Sequence, residues 1–286
     1  MIKQKVATVV VTFNRLEFLK EIIEALRKQT RKIDQIIVVH NSGTDGTAEW
    51  LAKQKDLYVI TQDNFGSSGG QYTGFKAAYD NDFDWIWTMD DDVVPAPDCL
   101  EQLLDTNDST LIRAPLRFMP NGEPYLNDCI KFNLSNPFKG LWTRILNASD
   151  LEKSKIDAEG ITFEGPLMHR TVIKTIGLPQ LNFFIYGDDT EYFIRAAKHG
   201  FKTQIYREAH LHRKLDYVRE ETAFTWKHRY IIRNIIAIDV LHASFLVRLL
   251  RPWAYCLKWL SHCRSIGDVR TTLGSFLRGY FYKSAN

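Results

Sequence analysis

Three adjacent carboxylates, Asp90, Asp91 and Asp92, follow directly on the apolar run Trp85 to Met89, and Pro95 and Pro97 prevent that run from continuing. Alternate side chains of an extended backbone share a face, so Asp90 and Asp92 point the same way. Together they could hold a hard divalent cation, Mn(II) or Mg(II), with diphosphate oxygens completing the shell. A solvated acidic turn, with Asp98 capping the next helix, is the competing reading. A second cluster, Gly187-Asp188-Asp189-Thr190-Glu191, opens a helix, where acidic residues also serve simply to cap the first turn and complement its dipole. His210 and His212 alternate along a short extended segment, so only one can face a site built there. Trp85, Trp87 and Tyr186 offer faces to sugar rings, Trp87 fitting a core equally well.

Chemistry at these residues needs elements that bring them together. Val6 to Val11 is a buried-strand run, and Asn14 with Glu17 has the form of a capping box before a helix carrying Leu16, Leu19, Ile22, Ile23 and Leu26. The pattern repeats: strand Gln35 to Val39, loop His40 to Gly46, helix through Trp50 and Leu51, strand Tyr58 to Thr61, Gly-rich loop, helix from about Gly69 to Tyr79, strand Trp85 to Met89. Such alternation predicts a parallel sheet covered by helices, with right-handed crossovers bringing the strand C-termini to one edge, where ligands bind. Loops Thr12 to Arg15, His40 to Gly46 and Asn64 to Gly70 leave that edge, placing Asn41 and Asn64 near Asp91 as nucleotide contacts. Gly69 and Gly70 open a helix whose N-terminal amides face diphosphate or sugar oxygens. Read locally, Thr12-Phe13-Asn14-Arg15 is only a helix cap and Ser42 to Gly46 only a tight turn. From about Asn107 the pattern is irregular. It resumes with a strand from Ile161 to Gly165, a helix from Met168 to Ile176, a helix from about Asp189 to His199 and a strand Lys202 to Tyr206.

Composition bounds the class. The 286 residues are 45% hydrophobic and 25% charged, ordinary for a globular protein, which excludes disordered and fibrous chains. A net charge of +3 hides an asymmetry: the last 54 residues carry +6 and the rest −3. Four sparse cysteines fit reduced thiols in a cytosolic compartment. Neither an export signal nor a membrane span is expected. In the tail, Leu241, Phe245, Leu249, Trp253, Leu257 and Leu260 recur at helical spacing, with Arg248, Arg251, Tyr255 and Lys258 on another face and Pro252 as a kink or a new start. Such a helix either lies in the headgroup layer of an anionic membrane, with Trp253 and Trp259 as anchors, or packs on the catalytic domain or another subunit of a homo-oligomer. No nucleic-acid-binding motif accompanies the charge.

In order and spacing, VVVTFNR, VVHNSGTDGT, NFGSSGGQYTG, WTMDDDV and FIYGDDTEY resemble family 2 of the inverting glycosyltransferases, over about residues 6 to 213. The resemblance implies an α/β GT-A fold: a Rossmann-like, mostly parallel sheet flanked by helices, with a C-terminal helical extension. The catalytic domain would span 1–215, with a nucleotide half to about 105 and an acceptor half from 106, and a basic helical region would span 216–286. It assigns Thr12, Phe13 and Arg15 to base and phosphates, Asp189 to the catalytic base, Asp188 and Glu191 to the acceptor, and favours His212 as a third metal ligand. His40 departs from the family, which commonly has an Asp there against uracil, so the base is open. The unbroken MDDDV and the later RYIIRN look like bacterial galactofuranosyltransferases, with dTDP-rhamnose rhamnosyltransferases next. The expected reaction moves a sugar from a nucleoside diphosphate to a glycan or lipid-linked glycan in surface polysaccharide synthesis, peripherally at the inner face of the membrane. A sugar nucleotidyltransferase would need a Gly-rich basic loop after the first strand, which TFNR does not supply. A silent nucleotide-sugar binder would not need Asp90, Asp92, Asp189 and His212 together.

Overall fold

The computed structural model describes residues 4–105, 109–216 and 224–284. The elements run β1 (Val6–Thr12), α1 (Leu16–Arg27), β2 (Gln35–His40), α2 (Thr47–Leu51), β3 (Leu57–Thr61), α3 (Gly66–Asp80), β4 (Trp85–Asp90), β5 (Val93–Pro95), α4 (Cys99–Leu104) and β6 (Ile112–Phe118). After these come β7 (Cys129–Phe132), β8 (Trp142–Ile145), β9 (Lys155–Ala158), β10 (Leu167–His169), α5 (Arg170–Ile176), α6 (Asp188–Lys198), β11 (Thr203–Arg213), α7 (His228–His242), α8 (Phe245–Leu260) and α9 (Ile266–Tyr280). The main sheet has the order β3-β2-β1-β4-β10-β6-β11-β5, with β9 beside β11, while β7 and β8 form a separate ribbon. Strands β1 to β4 are mutually parallel and β10 is antiparallel to both β4 and β6.

Strands β1, β2 and β4 are buried on both faces, because helices cover each side, and so read as continuous apolar runs. One core layer gathers Val9, Val11, Ile37 and Phe75, the other Val10, Leu19, Ile22 and Trp87. Helix α3 sits unusually close to the sheet: a Cβ on Gly70 would collide with Val11 and one on Gly74 with Val9. This corrects the expectation for Gly69 and Gly70, which lie buried inside α3. The helix starts at Gly66, whose φ is +73°.

Several boundaries differ from the pattern. Asn14 does not cap α1; its φ is +54° and its side chain accepts from the Thr44 amide, while Asp45 of the second loop accepts from Leu16 N at 2.8 Å. Residues 161–165 form no strand: Gly165 adopts φ +96°, bonds at Gly165 and Pro166 reach Thr88 of β4, and β10 itself starts at Leu167. Strand β11 runs past Tyr206 to Arg213 through an irregularity between Tyr206 and His210. The tail breaks before Ser244, whose amide is captured by Leu134 O, and Pro252 lies inside α8. The expected division near residue 106 falls outside the described residues. Among the described residues no helix is long and apolar enough to cross a membrane. The four cysteines are free thiols.

Candidate active site

Where β1, β2 and β4 end, their loops meet the α6 entrance and the side of α7 around a cavity of about 820 Å³. Register explains the first contacts. Val11 pairs with Asp90, so the next residues, Thr12 and Asp91, emerge side by side, and Thr12 Oγ1 donates to Asp91 Oδ2 at 2.7 Å. Arg15, at the start of α1, reaches Asp91 Oδ1 at 3.2 Å and Asp92 Oδ2 at 2.7 Å. Because β4 stops at Asp90, the strand alternation expected for Asp90 and Asp92 does not extend through the triplet, yet all three line the cavity. Gln71 of α3 donates weakly to Asp90 Oδ1 at 3.4 Å.

The cavity is also lined by the segment Phe184-Ile185-Tyr186-Gly187 leading into Asp188 and Asp189. Phe184 and Tyr186 have φ of +65° and +66°, a conformation that non-glycine residues adopt only when the surroundings impose it. Buried Asn234 of α7 imposes it: its Nδ2 donates to the carbonyls of Phe183 at 3.0 Å, Ile185 at 3.0 Å and Tyr186 at 2.7 Å. Arg233 adds bonds to the carbonyls of Asn182 and Phe183. Gly187, with φ +80°, lies against Ile238, which a side chain there would crowd. Asp128, Glu164 and Arg213, which also line the cavity, form a charged lattice around buried Arg117. Arg117 pairs with Asp128 and with Glu164 Oε2 at 2.6 Å, and Arg213 Nε reaches the same Glu164 oxygen at 3.1 Å.

Seven carboxylates and three cationic side chains line the cavity. Burial is the first cause of raised carboxyl pKa values here. It pushes Asp90 well above its usual range, with Asp92, Glu164, Asp91 and Asp188 adding repulsion. Asp91 rises to about 6 against the opposing pull of Thr12 and Arg15. Burial and mutual repulsion raise Asp188, and burial lifts Asp189 to about 6. Among the described residues no three His, Cys, Asp or Glu side chains form a ready-made metal cage. The donor set still fits a hard cation sharing ligand oxygens: Asp90 and Asp92 are hard oxygen donors in a lining where carboxylates outnumber cations, although Arg15 already pairs with Asp92.

Of the residues singled out by sequence, Thr12, Phe13, Arg15, Asn41, Asn64, Asp90, Asp91, Asp92, Tyr186, Asp188 and Asp189 line this cavity. Five expectations are corrected. His40 is buried and turned inward, its Nε2 accepting from Gly43 N at 3.0 Å. Trp85 begins β4, at the far end from Asp90, buried under the Arg113 guanidinium. Glu191 faces away, paired with Arg195 at 2.9 Å and His242 at 2.9 Å. His212 stacks on Phe118 outside the cavity, because its neighbour Arg213 takes the inward phase of β11. Gly66 and Ser67, rather than Gly69 and Gly70, present the α3 N-terminus to the cavity. Gln71, Asp128, Glu164, Arg213, Trp142, Trp226 and Asn234 were missed. Strand parity at β11 was the only available signal, and it pointed to Arg213 once the strand end was known.

Among solved structures, GalNAc-T7 with UDP, GalNAc and Mn2+ aligns with a TM-score of 0.61 at 13% identity, over 98% of this chain and 58% of that one. TarS 1-349 of S. aureus in complex with UDP-GlcNAc aligns at 0.58 and 14%, over 97% and 82%. The fold is GT-A. Residues 8–143, just under half of the chain, match the family model described as glycosyl transferase family 2. A galactofuranosyltransferase, GlfT1, of Mycolicibacterium smegmatis is 29% identical over 210 residues, covering 68% of this chain and 66% of the relative. GlfT1 of Mycobacterium tuberculosis is 28% identical over 221 residues, covering 69% and 66%. The chain thus spans just under two thirds of the length of these relatives.

Proposed function

We propose that the protein is an inverting, metal-dependent glycosyltransferase that moves galactofuranose from UDP-galactofuranose to a hydroxyl of a glycan or lipid-linked glycan, in surface polysaccharide synthesis at the inner face of the bacterial membrane. The observation that carries the chemistry is that the Asp90–Asp92 triplet and the Asp188–Asp189 pair, from elements far apart in sequence, line one cavity. The names of the relatives support the sugar.

In this reading Thr12, Phe13 and Arg15 hold nucleoside and phosphates, and the α3 N-terminus at Gly66 and Ser67 presents amides toward anionic oxygens. Asp90 and Asp92 would hold the divalent cation, which when bound offsets charge on the departing diphosphate. Asp189 accepts the proton of the attacking hydroxyl; the raised pKa of about 6 makes it a better base than a solvated carboxylate while leaving it ionised at neutral pH. Tyr186, whose hydroxyl accepts from Lys227 at 3.3 Å, stands beside that hydroxyl's approach with exposed Trp142 and Trp226. Inversion follows from attack on the face opposite the leaving group.

The test is a donor panel of UDP-, dTDP- and GDP-sugars with manganese, scored by nucleoside diphosphate release with and without membrane extract as acceptor. Release from UDP-galactofuranose supports the reading. Release from dTDP-rhamnose moves the donor to rhamnose, and donor binding without release from any sugar leaves a silent binder.

A further inference from the structure

Helices α8 and α9 leave an apolar face uncovered. Between Phe245 and Phe281, eleven large apolar side chains are exposed, whereas monomeric soluble proteins rarely leave so many on one face. Leu249, Trp253 and Leu257 follow one stripe of α8, and Ile266, Leu273 and Leu277 one stripe of α9. The stripes join at half-exposed Trp253, whose ring lies 4.5 Å from Phe276 and 6.3 Å from Tyr280 of α9. The opposite sides of both helices pack on α7, through Cys256 and Phe276 against Ile232 and Ile236, so the outward stripes are not a loose tail.

Charge separates the candidate occupants. Arg248, Lys258, Arg264, Arg270, Arg278 and Lys283 are exposed on this region, and its one carboxylate, Asp268, is engaged in capping α9. In a two-fold contact between copies the same cations would face each other, with only Asp268, already held by the Arg264 and Ser265 amides, between them among the described residues. An anionic bilayer offers both an apolar layer for the stripes and phosphate for the cations.

We propose that the exposed face of α8 and α9 docks on the surface of an anionic lipid bilayer, with Trp253 and the flanking leucines in the headgroup layer. Helix α7 packs on both docking helices and lines the cavity through Ile231, Asn234, Ile235 and Ile238, so the bilayer lies one helix layer from the site. The inference rests on this geometry and is independent of which sugar is transferred.

The experiment is co-sedimentation of the full chain with phosphatidylcholine vesicles, with and without phosphatidylglycerol. Binding is expected only when phosphatidylglycerol is present, and it should fall as salt rises. It should weaken by about tenfold or more in Leu257→Ser/Leu273→Ser and fall in Arg270→Gln/Arg278→Gln, while circular dichroism and melting of both variants match wild type. Absence of sedimentation with either vesicle overturns the proposal, as does binding that both variants retain. So does a concentration-dependent dimer, seen by light scattering, that the leucine substitutions dissolve.

Discussion

Asp188 and Asp189 owe their chemistry to the cost of burying charge. Asp189 must be ionised to accept a proton, and burial raises its pKa to about 6. Turnover should therefore be small below that pH and rise through it, a profile measurable with saturating donor. A profile flat from pH 5 to 8 would assign the base elsewhere. Stability should move the other way. Asp90 and Asp188 have folded pKa values above their unfolded ones, so the folded state favours their protonated forms. They cost stability at neutral pH, and the cost is relieved as pH falls from the raised value toward the ordinary carboxylate range. Asp188→Asn should accordingly raise the melting temperature at pH 7, by about 2–4 °C for each kcal/mol regained, and gain nothing at pH 4. A lower melting point at pH 7 would mean that Asp188 is stabilised by partners rather than strained.

The loop from Phe183 to Gly187 is an element held from outside. Its two left-handed non-glycine residues each cost on the order of 1 kcal/mol, offset by one Asn234 amide whose two N–H hydrogens are shared among three carbonyls. Asn234→Asp keeps the shape and removes the donor. We expect kcat to drop at least about tenfold with the donor Kd unchanged, since roughly 1.4 kcal/mol of misplacement at the base is enough. Equal loss of donor binding and kcat would indicate general unfolding instead. None of this was legible beforehand, because Asn234 lies some 50 residues from the carbonyls it serves. The same distance hid one of the two partners of Glu191, His242, while the other, Arg195, lies one helical turn on. The parallel strands were legible because burial on both faces leaves a local signature, and WTMDDDV announced both a strand and its end. His212 was misjudged because β11 is longer than its apolar run, and an irregularity near Tyr206 sets the parity of everything after it.

Across the whole molecule, the C-terminal helices are built into the catalytic fold by a buried lock. Arg251 of α8 pairs with Asp239 of α7, Nε to Oδ2 at 2.8 Å, and donates to Asn133 O at 2.8 Å and Lys139 O at 3.1 Å. Asp239 is fully buried. Arg251→Ala would strand that carboxylate, at a cost of about 3–5 kcal/mol by urea unfolding, and Asp239→Ala in the same chain should recover part of it. Additive losses in the double variant would show that the pair does not act as a unit.

Wild type and Asp189→Asn should be compared side by side, with donor binding by calorimetry and donor turnover by nucleoside diphosphate release. Similar binding in both, with turnover lowered by about 10²–10⁴-fold in the variant, is the expected result. Turnover preserved in Asp189→Asn would contradict transfer driven by a carboxylate base on the α6 wall of this cavity.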